Sequence, residues 1–146
     1  TGLHAMNRMT VFLVTTALIF ALTGCQSRAS NTTDAHIDVV RFDRVVEMMS
    51  KSDQKRSVVF IDVRPRVPYI TGHIPGALHV PLPDVRAGDP RLAQASHIIV
   101  YGRGWQDYVA QAVAKKLMML KYDKVHDFRG GMELWEAKGQ PVEAGP

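Results

Sequence analysis

Two runs of branched and aromatic residues, Val58-Val59-Phe60-Ile61-Asp62-Val63 and His97-Ile98-Ile99-Val100-Tyr101, constrain this chain more than any other feature. They are continuously apolar rather than alternating, the pattern of a strand covered on both faces. Helical spacing lies between and around them. Phe42, Val45, Val46 and Met49 mark a first amphipathic helix, and Asp107 to Leu120 places Val109, Val113 and Leu117 on one face with Gln111 and Lys115 off it. Ile37 to Val40, Leu78 to Val80 and Val125 to Phe128 read as shorter strands. Gly131 to Lys138 reads as a last helix, stopped by Gly139 and Pro141. Strands alternating with helices predict an α/β fold, a parallel sheet with helices on both faces. Ligands in such folds bind where strands end. The loops after Ile61-Asp62-Val63 and after Tyr101 are therefore the candidate sites.

The front of the chain reads as an address rather than as part of this fold. Arg8 supplies a positive start, and Thr10 to Leu22 is an apolar stretch of signal-peptide length. It falls short of the ~20 residues a membrane span needs. Leu22-Thr23-Gly24-Cys25 resembles the lipobox of bacterial lipoproteins, in which the cysteine is acylated and becomes the mature N-terminus. The expected organisation is a signal peptide over 1–24, a flexible Ser-, Asn- and Thr-rich tether over 25–36 and one domain over 37–143. Thr1 to Ala5 precede Met6, the expected start, and whether they are native stays open. The expected location is the cell envelope, with the chain held to membrane lipid through acylated Cys25. Gln26 in place of Asp points to the outer membrane, facing the periplasm, if the cell is Gram-negative.

Inside the expected domain the residues resemble those of the rhodanese-like family. Asp62-Val63-Arg64, Tyr69 and Gly72-His73-Ile74-Pro75-Gly76-Ala77 are similar to the family's D-x-R and G-H-I-x-G-A segments. Gly130-Gly131-Met132, Trp135 and Gly139-Gln140-Pro141 are similar to its closing motif. The resemblance covers about 37–143 and implies a five-stranded parallel sheet. Each motif also has a plain physical reading. Asp62 and Arg64 suit a stabilising polar pair, His73 a structural hydrogen bond, and Trp135 and Met132 the core. Gly72, Gly76 and Gly130-Gly131 suit turns or close backbone approach. Pro68 stands where the family carries an acidic residue.

The resemblance also implies a chemistry that these residues do not supply. Active rhodaneses place a cysteine after this strand, where a thiolate cradled by loop amides carries sulfur as a persulfide. Here Tyr101 is followed by Gly102-Arg103-Gly104-Trp105-Gln106-Asp107. Gly102 takes the cysteine's place, and the chain's single cysteine is Cys25. Asp107 stands where many members carry an Arg, and an acidic residue there suits a helix start. Arg103 is the loop's only cation. Trp105 is either a contact anchor or a side chain folded back onto the core.

The expected function is a lipid-anchored, non-catalytic rhodanese-like module, with Arg103 and Trp105 as binding candidates for a protein partner or a small anion at the 102–107 loop. The alternative is a thiosulfate-type sulfurtransferase using a borrowed thiol or a cysteine-independent route. No cofactor is expected. His36, His79, His97 and His126 show no metal-ligand spacing. A formal charge of +4 without a Lys/Arg run points to a solvated surface rather than nucleic acid.

Overall fold

The computed structural model describes residues 37–52 and 57–146. The expected signal peptide and tether, Cys25 included, lie outside the described residues. The described chain runs β1 (Asp38–Val39), α1 (Phe42–Ser50), β2 (Ser57–Asp62), α2 (Arg66–Thr71), β3 (Leu78–His79), β4 (Ala95–Tyr101), α3 (Tyr108–Met119), β5 (Val125–Asp127) and α4 (Gly131–Ala137). Two short 3-10 turns, Leu82–Asp84 and Pro90–Leu92, fill the β3–β4 connection. The strands form one sheet in the order β1-β5-β4-β2-β3, and every pairing is parallel. This is the α/β architecture with a parallel sheet flanked by helices that the alternation predicts, and its five strands are those the family resemblance implies.

Both faces of the sheet are covered, which is why the two central strands carry apolar residues at successive positions. On one face Ile61, Val63, Ile98, Val100 and Val125 pack against Ala110, Val113, Ala114 and Leu117 of α3. On the other, Phe60, Ile99 and Tyr101 pack with Val45 and Met48 of α1 and Met132 and Trp135 of α4. Trp135 is the centre of this second core. Phe42 and Phe60 meet its ring at centroid distances of 6.1 and 6.2 Å, and its indole N–H donates to the Pro141 carbonyl at 2.8 Å. The buried side chain thus meets both requirements of a core tryptophan, apolar contact and a partner for its N–H.

The α3 face differs from the sequence expectation. Val109 points outward, and the buried stripe is Ala110, Val113, Ala114 and Leu117. Val46 of α1 is likewise exposed, with Met48 buried in its place. Helix α2 has no counterpart in the hydrophobic pattern. Its Pro68 is in the first turn, where a missing N–H costs the helix nothing.

The order of strands decides where a site can form. The chain leaves β2 toward β3 on one side and leaves β4 toward β5 on the other, while β2 and β4 are neighbours. Their C-terminal ends flank a topological switch point, the position at which open α/β sheets bind ligands.

Candidate functional site

Two turns meet at this switch point. After β2, Asp62 is fully buried and accepts from the Arg64 backbone N–H at 2.9 Å and from its guanidinium at 2.7 to 3.1 Å. The same guanidinium donates to the Gly72 carbonyl at 2.5 Å, fastening the end of α2. Burial works against the charged Arg64, but the bonds and charge of Asp62 prevail and raise its pKa. The rest of this corner is closed internally. Tyr69 donates its hydroxyl to the Ala77 carbonyl at 2.9 Å, and its ring stacks on His73 at 4.1 Å and on His79 at 4.7 Å. The Ile74 N–H donates to the Tyr101 hydroxyl at 3.1 Å. Burial, followed by the nearby Asp62 charge, keeps that phenol protonated far beyond its ordinary range. Gly76, at φ +73°, turns the chain. His73 and Glu143 form an antiparallel bridge that pins the C-terminal segment beside it.

After β4, residues 102–107 form the loop singled out by the sequence, and Asp107 organises it. Its carboxylate accepts from the Arg103 N–H at 2.8 Å and from the Val109 N–H at 3.0 Å. It caps α3 and also ties the loop back on itself. The Asp107 N–H in turn donates to the Gly104 carbonyl at 2.9 Å. Gly102 faces this carboxylate directly. A Cβ added at Gly102 would overlap Asp107 Oδ2 and come within 2.6 Å of Asp107 Cγ. The space a side chain at position 102 would enter is already filled by the carboxylate.

The turn into α4 closes the loop from the other side. The Met132 and Glu133 N–H groups donate to the Gly102 and Arg103 carbonyls at 3.0 and 2.9 Å. Gly131 makes this approach with φ +56°, and a Cβ there would lie 2.7 Å from the Gly102 oxygen. Close approach and a left-handed backbone both require glycine at this position. The amides opening α4 are therefore committed to loop carbonyls.

Of the two binding candidates, Arg103 reaches out to Glu133 at 3.2 Å, both side chains being exposed. Trp105 is 64% exposed, so it does not fold back onto the core. It stands between two hollows. One, of about 670 Å³, is lined by Arg103, Gly104, Trp105, Gln106, Asp107 and Glu133. The other, of about 520 Å³, runs from Trp105 past Phe128 and Leu134 to the Val40–Asp43 segment and Lys138. Sequence reasoning missed the second hollow because its residues lie far apart in the chain.

A further polar contact was also invisible in the sequence. Sheet register brings His97 of β4 and His126 of β5 together, Nδ1 to Nε2 at 2.9 Å, and His126 Nδ1 reaches Asp38 of β1 at 2.6 Å. Burial and then the neighbouring His126 lower the His97 pKa. Among the described residues no group of three or more His, Cys, Asp or Glu side chains is arranged to hold a metal ion.

The model of the rhodanese-like domain family matches residues 43–138. The chain belongs to the rhodanese-like family. Among solved structures, the Rhodanese_3 like domain of the Alr3790 protein from Anabaena sp. is 30% identical, with a TM-score of 0.52 over 62% of this chain and 95% of that one. Thiosulfate sulfurtransferase from Pseudomonas aeruginosa shares the fold at a TM-score of 0.64, with 21% identity over 75% of this chain and 20% of that one. An HTH-type transcriptional regulator from Mycobacterium tuberculosis is 32% identical over 88 residues, which are 60% of this chain and 38% of the regulator. The match thus spans well under half of that relative's length.

Proposed function

We propose that this rhodanese-like domain is a non-catalytic contact module held at a membrane surface of the cell envelope through acylated Cys25. One observation carries the inactive part of this reading: the carboxylate of Asp107 occupies the space in front of Gly102. Persulfide chemistry needs a thiolate in an amide-lined cradle. At position 102, which we read as the counterpart of the family's cysteine, there is no side chain. Two amides around the loop, those of Arg103 and Val109, already serve a fixed internal anion. A second anion would meet both occupied donors and a like charge. The same arrangement favours contact through the loop's outer side chains, Trp105 and Arg103, over capture of a small anion.

The anchor rests on the lipobox-like Leu22-Thr23-Gly24-Cys25 behind a short apolar stretch. Among the described residues no helix is long and apolar enough to cross a membrane. Two acyl signals suffice for stable attachment, each buried CH₂ contributing about 0.8 kcal/mol.

The chemistry is tested by incubating the protein with thiosulfate and cyanide and measuring thiocyanate. The expected result is no product above the protein-free blank, and sustained turnover would refute inactivity. The anchor is tested by flotation of wild type and Cys25→Ser. The variant is expected to leave the membrane fraction, and equal flotation of both would refute acylation as the anchor.

A further inference from the structure

We infer that the face formed by Trp105, Tyr108 and Val109 is seated on the lipid surface itself, with its indole and phenol rings at headgroup depth. This inference rests on the anchored reading above and names the partner of the same loop. Trp105 is 64% exposed, Tyr108 76% and Val109 43%, in the five residues that span the end of the loop and the first turn of α3. The Gly104–Asp107 turn holds these residues on a fixed frame. Rigid, exposed tryptophan and tyrosine next to one another suit a boundary that is apolar on one side and wet on the other.

The surroundings fit the same boundary. The groove beside Trp105 is floored by Val40, Phe42, Phe128 and Leu134. At its rim stand Arg41 and Lys138, and Arg103 projects from the loop. Such cations can lay their stems along apolar surface and keep their charge among headgroups. Asp43 and Glu133 pair with Arg41 and Arg103 at 3.5 and 3.2 Å. With Asp107 between Trp105 and Tyr108, three cations face three carboxylates, so the rim is close to neutral and the aromatic side chains rather than net charge carry the seating.

The point where the chain enters the fold decides between occupants. Register places Asp38 level with His126 and with Ile99, two positions before the end of β4. The segment that follows, Val40–Asp43, lines the same groove as Trp105. β1 runs parallel to β4, so the chain runs toward the sheet edge that carries the aromatic face, and β1 begins two strand positions short of that edge. Residues 26–36 separate Cys25 from this entry, and a flexible segment of that length reaches roughly 20 Å on average. An acylated Cys25 would hold the aromatic face within that distance of the bilayer at high effective concentration. Residues 26–36 carry no Phe, Tyr, Trp, Leu, Ile, Val or Met.

The chain carries two tryptophans, and Trp135 is fully buried, so bilayer contact is readable on Trp105 alone. The chain from Cys25 onward keeps every described residue, and its lone thiol allows coupling to a maleimide lipid. Coupled to vesicles of phosphatidylethanolamine and phosphatidylglycerol with brominated acyl chains, it is expected to lose the Trp105 share of its emission. Trp105→Phe, coupled in the same way and with an unchanged melting temperature, is expected to lose almost none. Equal emission of wild type on brominated and ordinary vesicles would overturn the inference. So would a Trp105 that stays open to iodide on vesicles and is shielded only when another protein is added. Acylation of Cys25 in cells is read separately, by palmitate labelling of the full chain. Chemical coupling therefore tests the docking face whether or not that labelling succeeds.

Discussion

The turns after β2 and after β4 are each closed by a carboxylate, but the two carboxylates do different work. Asp62 is fully buried and bonds a guanidinium that is itself almost buried, so each charge depends on the other. Asp107 is half-buried and bonds only backbone N–H groups. The first turn directs Asp62, Tyr69, His73 and Ile74 inward. The second has no side chain at Gly102, and the Asp107 carboxylate fills the space in front of it. One switch point thus holds two turns closed in different ways, one by a buried ion pair and one by a capping carboxylate. What remains at the second turn is a stiff frame that presents Trp105 outward.

The comparison is tested most sharply by removing each acid. Asp62→Ala strands the Arg64 guanidinium in the interior, and breaking a buried pair in this way costs about 3–5 kcal/mol. Asp107→Ala removes a helix cap and should cost about 1 kcal/mol. Denaturant unfolding reads both. Equal losses would mean that the two carboxylates carry the same structural load and that the contrast between the turns is wrong.

A smaller effect probes the Gly102–Asp107 pairing. Gly102→Cys forces a Cβ into the Asp107 carboxylate, and overpacking of this kind costs about 1–3 kcal/mol. Asp107→Ser shortens the opposing side chain and keeps a capping group. The double variant should then be more stable than the sum of the single losses predicts, with a coupling of about 0.5–3 kcal/mol. Strict additivity would show that the two positions do not share the space. The introduced thiol should also react with iodoacetamide faster when Asp107 is Ser than when it is Asp.

Titration separates both turns from the histidine contact on β4 and β5. His97 faces His126 and Asp38, with Arg44 and Lys124 adding positive charge nearby. Burial and these cations lower its pKa, so the folded state prefers the neutral ring. A lowered histidine stabilises above its unfolded value of ~6.5 and loses that contribution as pH falls through the folded value. The melting temperature should therefore drop on acidification through this range, and less so in His97→Gln. Asp127 has the opposite sign. Burial raises its pKa, and its Oδ1 lacks a hydrogen-bond partner among the described residues. Its contribution is greatest at acid pH and falls as pH rises past the ordinary carboxylate range. Asp127→Asn should thus gain stability relative to wild type as pH rises. A wild-type acid loss unaltered by His97→Gln would place the pH sensitivity elsewhere.

Much of this was legible in the chain because it depends on local pattern. The continuous runs of β2 and β4 announce strands covered on both faces, and the alternation with helices fixes a parallel sheet. The capping role of Asp107 was readable too, since an acid before a helical run has few other uses. The misreadings share one cause, which is that side-chain size was taken for burial. Helix α3 buries two alanines, Ala110 and Ala114, against the sheet, and Val109 faces outward. Contacts set by sheet register or loop closure had no signal in the sequence. His97 and His126 are 29 positions apart, and the Asp107 carboxylate meets Gly102 only after the loop has folded.

The smallest expected stability change carries the most information about the outward-facing turn. Trp105 is mostly exposed and lines the rim of two hollows rather than the core. Trp105→Ala should change unfolding free energy by no more than about 0.5 kcal/mol, as surface substitutions do. Trp135→Ala, at the centre of the core, should cost about 3–5 kcal/mol. A stability-neutral Trp105→Ala would mean that the fold gains nothing from exposing an indole there, so its use must lie in contact with something outside the domain. A loss approaching that of Trp135→Ala would instead assign Trp105 to holding the loop in place. The second turn would then be as structural as the first, and the contrast between them would collapse.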